Sequence, residues 1–244
     1  TDTITLTGGS VTSESISGNN LILNIGSGSI TFIDALTVNV NGKLYGKSSK
    51  KGTNGKDYIV NIDSNETIKA YKGNDTITNY GENVLINAGN GKNNISNYGD
   101  NSTIITDNGN NTIYSDERSN IICGTGDDSI NNGWAWSTID GGAGDETIIN
   151  QGWSSLSGGD GNDIISDEGH LYSTINGGKG NDTIYAYAGW GGYEVIEYTS
   201  GDGDDVVYGY RSDKVVKLKI DGKYTASTVD NDVLITVGDG SILL

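Results

Sequence analysis

Gly158-Gly159-Asp160-Gly161-Asn162-Asp163-Ile164-Ile165-Ser166 is followed by a near copy, Gly177-Gly178-Lys179-Gly180-Asn181-Asp182-Thr183-Ile184-Tyr185. Both read G-G-x-G-x-D-x-U-x, where U is a large apolar residue. Glycines allow left-handed backbone angles and close approach of neighbouring chains. The carbonyls of such a turn are free to face a cation. The Asp adds a charged, hard oxygen of the kind calcium takes. The apolar residue that follows turns toward a core.

Outward from these copies, a five-residue kernel G-x-[D/N/E]-x-[I/V] recurs eight times between Gly73 and Val207. The kernel glycines are Gly73, Gly91, Gly109, Gly126, Gly144, Gly161, Gly180 and Gly203, spaced by 18, 18, 17, 18, 17, 19 and 23 residues. A fixed period in this range means a solenoid. Eighteen residues make two nonapeptides, hence two short strands and two turns per coil. One apolar ladder is Ile77, Ile95, Ile113, Ile130, Ile148, Ile165, Ile184 and Val207. A second is Ile86, Ile104, Ile121, Ile139, Leu156 and Ile175, each five residues before the next kernel glycine. Two facing ladders predict a thin, two-sheet core. Eight coils stacked as parallel strands would extend roughly 35–40 Å.

The ends differ from the middle. Short alternating strands are expected over residues 1–42, and the pattern Ile16–Ile30 returns at Val229–Ile242 with one residue deleted. A solenoid needs atypical end units because its last coil has an open edge. Residues 208–244 are therefore expected to form a C-terminal β-cap, and 1–42 a leading β-unit like the closing segment of a preceding array. Between them, residues 43–58 hold five of the thirteen lysines, Lys43, Lys47, Lys50, Lys51 and Lys56. Two readings fit that stretch: a solvated linker or loop, and a contact with an acidic neighbour. The array proper is expected over 59–207.

Composition narrows the function. The chain has 244 residues, 32 acidic against 15 basic, and a formal charge of −17. That excess disfavours nucleic acid and anionic membranes as partners and favours cations or neutral polymers. Glycine is frequent at 38 and proline absent, without the G-X-Y register of collagen. A lone cysteine, Cys123, makes no internal disulfide. No run reaches the length of a membrane span, so no membrane insertion is expected. The absence of a signal peptide and an initiator Met suggests a segment of something longer.

The repeat resembles the RTX (repeats-in-toxin) calcium-binding nonapeptide of hemolysin-type bacterial proteins, over about 135 of the 244 residues. That resemblance implies an all-β, right-handed parallel β-roll. It also implies a secreted or cell-surface bacterial location, commonly type I export, and folding by Ca2+ outside the cell. It places calcium between neighbouring coils, on backbone carbonyls and the Asp. Carried over by position, the best turns use Gly159, Gly161 and Asp163, and Gly178, Gly180 and Asp182. Gly142 and Gly144 keep the glycines with Glu146 in the acid slot. Gly124 with Asp128, and Gly201 and Gly203 with Asp205, lack the first glycine, and Asp75 marks the first acid slot. Asn93 and Asn111 put a neutral amide there, so ions are expected mainly between the coils from Cys123 to Asp205. The plain alternative is that these are ordinary glycine turns with Asn and Asp in left-handed positions.

The opposite turns depart from the family pattern. None reads G-G-x-G-x-D; several carry aromatics: Tyr80, Tyr98, Trp134, Trp153 and Trp190, at or near the coil period. Two readings stand: rings that cover the edge by packing on each other, and a platform for a glycan or for neighbouring protein subunits. No enzymatic activity is expected. The single His170 has no evident partner, and Cys123 sits in a glycine slot as small filler. One His and one Cys do not make a zinc site. The expected role is thus a calcium-stabilised module with a structural or adhesive function, with carbohydrate binding beside a polysaccharide-acting enzyme as the alternative.

Overall fold

Each kernel ends in a run such as Thr112-Ile113-Tyr114-Ser115, which alternates exposed, buried, half-buried, buried. β-branched residues suit such a pleat, and the period of two sends the isoleucine inward. The computed structural model of the chain describes residues 3–7, 9–17, 20–32, 37–40, 43–46, 50–116, 118–134, 136–169, 172–187, 193–209 and 215–244. Among these residues every regular element is a strand. They form a parallel β-solenoid with a β-unit at each end.

Odd and even strands of the array separate into two sheets. One runs from Thr67–Lys69 through Leu85–Gly89, Ser102–Thr106 and onward to Val215–Asp221, nine strands in all. The other runs from Tyr58–Asn61 through Thr76–Asn79 to Asp204–Tyr208 and then into the cap. Registry is exact in the sense that matters for the core. Ile77 pairs Ile95, Ile95 pairs Ile113, and Ile113 pairs Ile130, while Ile86 pairs Ile104 and Ile104 pairs Ile121. Both predicted ladders are buried in one continuous cluster.

The array begins one coil earlier than the eight kernels suggest. Gly55-Lys56-Asp57-Tyr58-Ile59 is a further copy, eighteen residues before Gly73. Ile59 pairs Ile77 and is buried. The lysine-rich composition of this stretch hides the copy. That stretch divides in the structure: Lys43–Gly46 is a strand paired with Thr37–Val40, and Lys51 bridges Lys69 at the start of the roll. Lys47 lies outside the described residues. Asp57 is capped locally, its Oδ2 accepting the Thr53 N–H at 2.6 Å and the Thr53 hydroxyl at 3.1 Å.

At the other end Gly240–Leu243 continues the sheet in parallel beside Asp204–Tyr208, and Asp232–Val237 and Tyr224–Val229 then add antiparallel strands. The sequence repeated at the two termini gives the same element twice. Asn20–Ile25 pairs Gly28–Phe32 as Asp232–Val237 pairs Gly240–Leu243, with Gly26 and Gly238 at φ +60° and +62° in the turns. The leading unit has its own small core of Leu21, Leu23, Val38 and Val40.

A third ladder is polar. Two residues after most kernel isoleucines lies a buried polar side chain: Asn61, Asn79, Asn97, Ser115, Asn132, Asn150 and Asp167. Asn61 Nδ2 donates to Asn79 Oδ1 at 2.7 Å, and Asn79 Nδ2 to Asn97 Oδ1 at 2.7 Å. The same Nδ2 groups donate to the carbonyls of Asp63 and Gly81, each at 2.8 Å. Amides that donate and accept along one direction satisfy most of this buried column, and Asn150 Nδ2 donates onward to Asp167 Oδ1 at 2.6 Å.

Candidate metal centre

The kernel turns stack so that the acid slots form one column along the edge of the roll. One oxygen of each aspartate in the column has a fixed task. Asp75 Oδ1 accepts the Asp57 N–H at 2.8 Å, Asp163 Oδ1 that of Glu146 at 2.8 Å, and Asp182 Oδ1 that of Asp163 at 2.8 Å. Asp205 Oδ1 accepts the Asp182 N–H at 3.0 Å. These bonds tie each coil to the one before it.

The other oxygen has no such task. Asp75 Oδ2, Asp128 Oδ2, Asp163 Oδ2, Asp182 Oδ2 and both carboxyl oxygens of Glu146 are buried without a hydrogen-bond donor. Their residues are 1% exposed. A buried carboxylate oxygen left unpaired is costly, and the group takes either a proton or a cation. Asp163 Oδ2 lies against Gly158, and Asp182 Oδ2 against Gly177, where a side chain would overlap them. The free oxygen therefore faces the glycine turn of its own coil.

The Asn slots show what fills that place when no charge is present. Asn93 Nδ2 donates to the carbonyls of Gly89 and Gly91, each at 3.2 Å. Asn111 Nδ2 donates to Gly109 O at 2.6 Å and to Asp128 Oδ1 at 2.9 Å. Their Oδ1 atoms keep the inter-coil bonds to the N–H of Asp75 and of Asn93, each at 3.0 Å. An amide N–H thus serves the turn carbonyls directly, where an Asp leaves two kinds of oxygen facing each other. Hard oxygens gathered on one turn suit Ca2+. Among the described residues no three Asp, Glu, His or Cys side chains converge, so a cation here would draw most of its ligands from backbone carbonyls.

Burial dominates the electrostatics of the column. It raises the carboxyls of Asp75, Asp128, Glu146 and Asp163 above their ordinary range, and Asp163 pushes Glu146 further. Asp182 is pushed up to about 6 by burial, against the Asp163 N–H that lowers it. Asp205 is pushed up to about 7 by burial, with the carboxylates of Asp182, Asp202 and Asp204 adding to the rise. A folded-state acid raised above its unfolded value binds protons that the unfolded chain has released. Metal-free stability is then greatest in acid and falls as pH rises from about 4 to about 7. For Asp182 alone, the rise from 3.8 to about 6 is worth on the order of 3 kcal/mol. Thermal melts of metal-stripped protein should accordingly show a higher Tm at about pH 5 than at about pH 8. A Tm that climbs with pH in the stripped protein would contradict this.

The glycines beside the acids are where close approach demands them. Gly161 has φ +150° and a Cβ there would overlap Gly144 O; Gly180, φ +127°, stands in the same relation to Gly161 O. Gly144 and Gly203 continue this rail, and Gly124, Gly142, Gly159 and Gly178 form a second one. Gly201 does not join it. A Cβ there meets open space, and the Asp202 N–H bonds back to Thr199 O at 3.0 Å. The insertion that lengthens the last spacing to 23 residues carries Gly201 off its rail, while Asp202 O still accepts the Gly180 N–H at 2.6 Å and Gly203 stays in line. Cys123 is buried, and burial followed by the Asp128 charge raises its thiol well above the ordinary range, which makes it a poor nucleophile.

The aromatic edge resolves into two groups. Tyr80 stacks on Tyr98 with centroids 5.2 Å apart, and Tyr98 meets Tyr114 at 5.7 Å. Farther along, Trp153 packs on Trp136 at 4.6 Å and on Tyr172 at 5.5 Å, and Tyr172 on Tyr193 at 4.8 Å. The tryptophan that joins Trp153 is thus Trp136, not Trp134. Alignment on the following strand reveals it: Trp136-Ser137-Thr138-Ile139, Trp153-Ser154-Ser155-Leu156 and Tyr172-Ser173-Thr174-Ile175. Trp190 and His170 lie outside the described residues. The sequence matches no protein-family model and no curated protein.

Proposed function

We propose that the chain is a calcium-binding, calcium-stabilised β-roll module of the RTX kind, from a large secreted or surface-attached bacterial protein, with a structural or adhesive role. The observation that carries this reading is the column of buried acids, in which Asp163 and Asp182 each bond the N–H of the preceding coil through one oxygen and leave the other without a donor. Without a cation these acids repel, and the thin core must bear their burial. With one, each site bridges the carbonyls of a glycine turn and the acid of the same column. Binding then adds its free energy to coil formation, so the metal-free coils are the less stable state. Scarce calcium inside the cell would leave the chain loose for export, and abundant calcium outside would fold it.

Calcium titration by calorimetry, with far-UV circular dichroism in calcium and in chelator, tests this directly. Several ions per chain and a gain of β-structure on binding are expected. Identical spectra in both conditions, with no heat of binding, would remove calcium from the account.

A further inference from the structure

The aromatic residues of the second group stand at a position the fold fills differently elsewhere. Three residues ahead of the second apolar ladder, successive coils place Asn65, Asn83, Asn101, Arg118, Trp136, Trp153, Tyr172 and Tyr193. Asn65, Asn83 and Asn101 have φ of 62°, 56° and 54°, the left-handed region that Asn tolerates. Trp136 occupies the same region at φ 70°. A bulky residue gains nothing there from the backbone and costs on the order of 1 kcal/mol or more. Trp136 is nonetheless 64% exposed. Strain together with exposure places its indole where burial does not explain it.

What the ring overlooks is a groove. Trp136, Trp153 and Tyr172 wall a cavity of about 480 Å³, floored by Thr138 and Ser155. A hollow of about 250 Å³ adjoins it across Trp136 and Thr138 and reaches Asn120 and Thr103. The floor is regular: Thr103 pairs Asn120, Asn120 pairs Thr138, Thr138 pairs Ser155, and Ser155 pairs Thr174. A line of hydroxyl and amide side chains therefore runs along the roll, one per strand at about 4.8 Å, beside a line of rings.

We infer that this groove binds a neutral polysaccharide, lying along the roll axis, built of pyranose units with mainly equatorial hydroxyls. Such a sugar has an apolar C–H face and a hydroxyl rim. Indole and phenol rings match the face, and short Ser, Thr and Asn side chains match the rim. A polymer fits because ring and hydroxyl recur on successive coils. Neutrality fits because Arg118, the cation lining this groove, is held by Asp100 at 2.9 and 2.5 Å, and the chain carries −17 overall. The groove uses none of the acid column, so it stands independently of the calcium reading.

The test is tryptophan fluorescence and calorimetry on the full chain in calcium, with cellohexaose, xylohexaose, mannohexaose and laminarihexaose as probes. At least one should bind and shift the emission. Trp136→Ala and Trp153→Ala should each weaken that binding about tenfold or more, while Trp134→Ala, 59% exposed but outside the cavity, should change it less than about twofold. Ser155→Tyr keeps every ring and fills the floor at an exposed strand position, so it should abolish binding with an unchanged circular dichroism spectrum. No response to any of the four sugars at about 10 mM, well above a millimolar Kd, overturns the inference. So does equal loss in Trp134→Ala, or an emission shift that follows protein concentration alone, which would assign the rings to self-association. Sugar binding with no calcium response would sink the calcium reading and leave this one standing.

Discussion

Asp163→Asn combined with Asp182→Asn is expected to stabilise the chain in chelator and to strip it of two calcium sites. The reason is on the same column. Asn93 and Asn111 keep the inter-coil bond through Oδ1 and satisfy the turn carbonyls through Nδ2. Placed at 163 and 182, the same amide would keep the bonds to the N–H of Glu146 and of Asp163 and replace an oxygen that has no donor. Melts in chelator at about pH 8, above the value of about 6 to which burial raises Asp182, should therefore show a higher Tm than the parent. In calcium the order should reverse, because each lost ion removes on the order of 4 kcal/mol at a thousandfold excess over Kd. Calorimetry should count two fewer ions. A variant that loses stability equally in both conditions would show that these acids serve the fold without a cation. The corresponding change at the neutral slots, Asn93→Ala with Asn111→Ala, should lower Tm in both conditions, since those amides hold coils together whether or not calcium is present.

Gly161→Ala is expected to be the most damaging single change in the array. The added methyl would overlap the Gly144 carbonyl oxygen of the neighbouring coil, at a backbone angle of φ +150° that alanine avoids. Relief requires the coils of Gly144 and Gly161 to separate, which breaks the Gly144 N–H bond to Asp160 O at 2.9 Å and the inter-coil bonds around it. A loss of about 3–5 kcal/mol is expected from the combined clash and strain, visible as a lower midpoint in urea. Gly201→Ala is the internal control. Its φ of +101° is equally unfavourable, but its Cβ meets open space. It should therefore cost only the backbone term, about 1–2 kcal/mol. Equal losses at 161 and 201 would mean that backbone angle alone, not the stacking of glycine on carbonyl, sets the requirement.

The sequence by itself determined the solenoid, because the physics of a stacked coil is local and periodic. A strand four residues long with one inward isoleucine looks the same in every coil, so a spacing near 18 and two apolar ladders suffice to specify two parallel sheets. The acid column was legible for the same reason, since Asp75, Asp128, Asp163, Asp182 and Asp205 occupy one slot of the repeat. The first coil is masked because Lys56 and its neighbours give Gly55–Ile59 the composition of a linker, although its spacing fits.

Only the tertiary structure decided what the second oxygen of each acid faces. Spacing places a carboxylate in a column, but whether Oδ1 or Oδ2 has a donor depends on the coil before it. The same holds for the asparagines, whose amides turn out to serve the turn carbonyls. It holds also for Gly201, which insertion carries off the rail. The aromatic edge is only partly legible in the sequence because a turn of variable length loses phase. Trp134 and Trp136 are two residues apart, and only the register of Ser137 on Ser154 fixes which of them meets Trp153. Periodicity reaches as far as the strands; the turns between them answer to the contacts that the strands bring together.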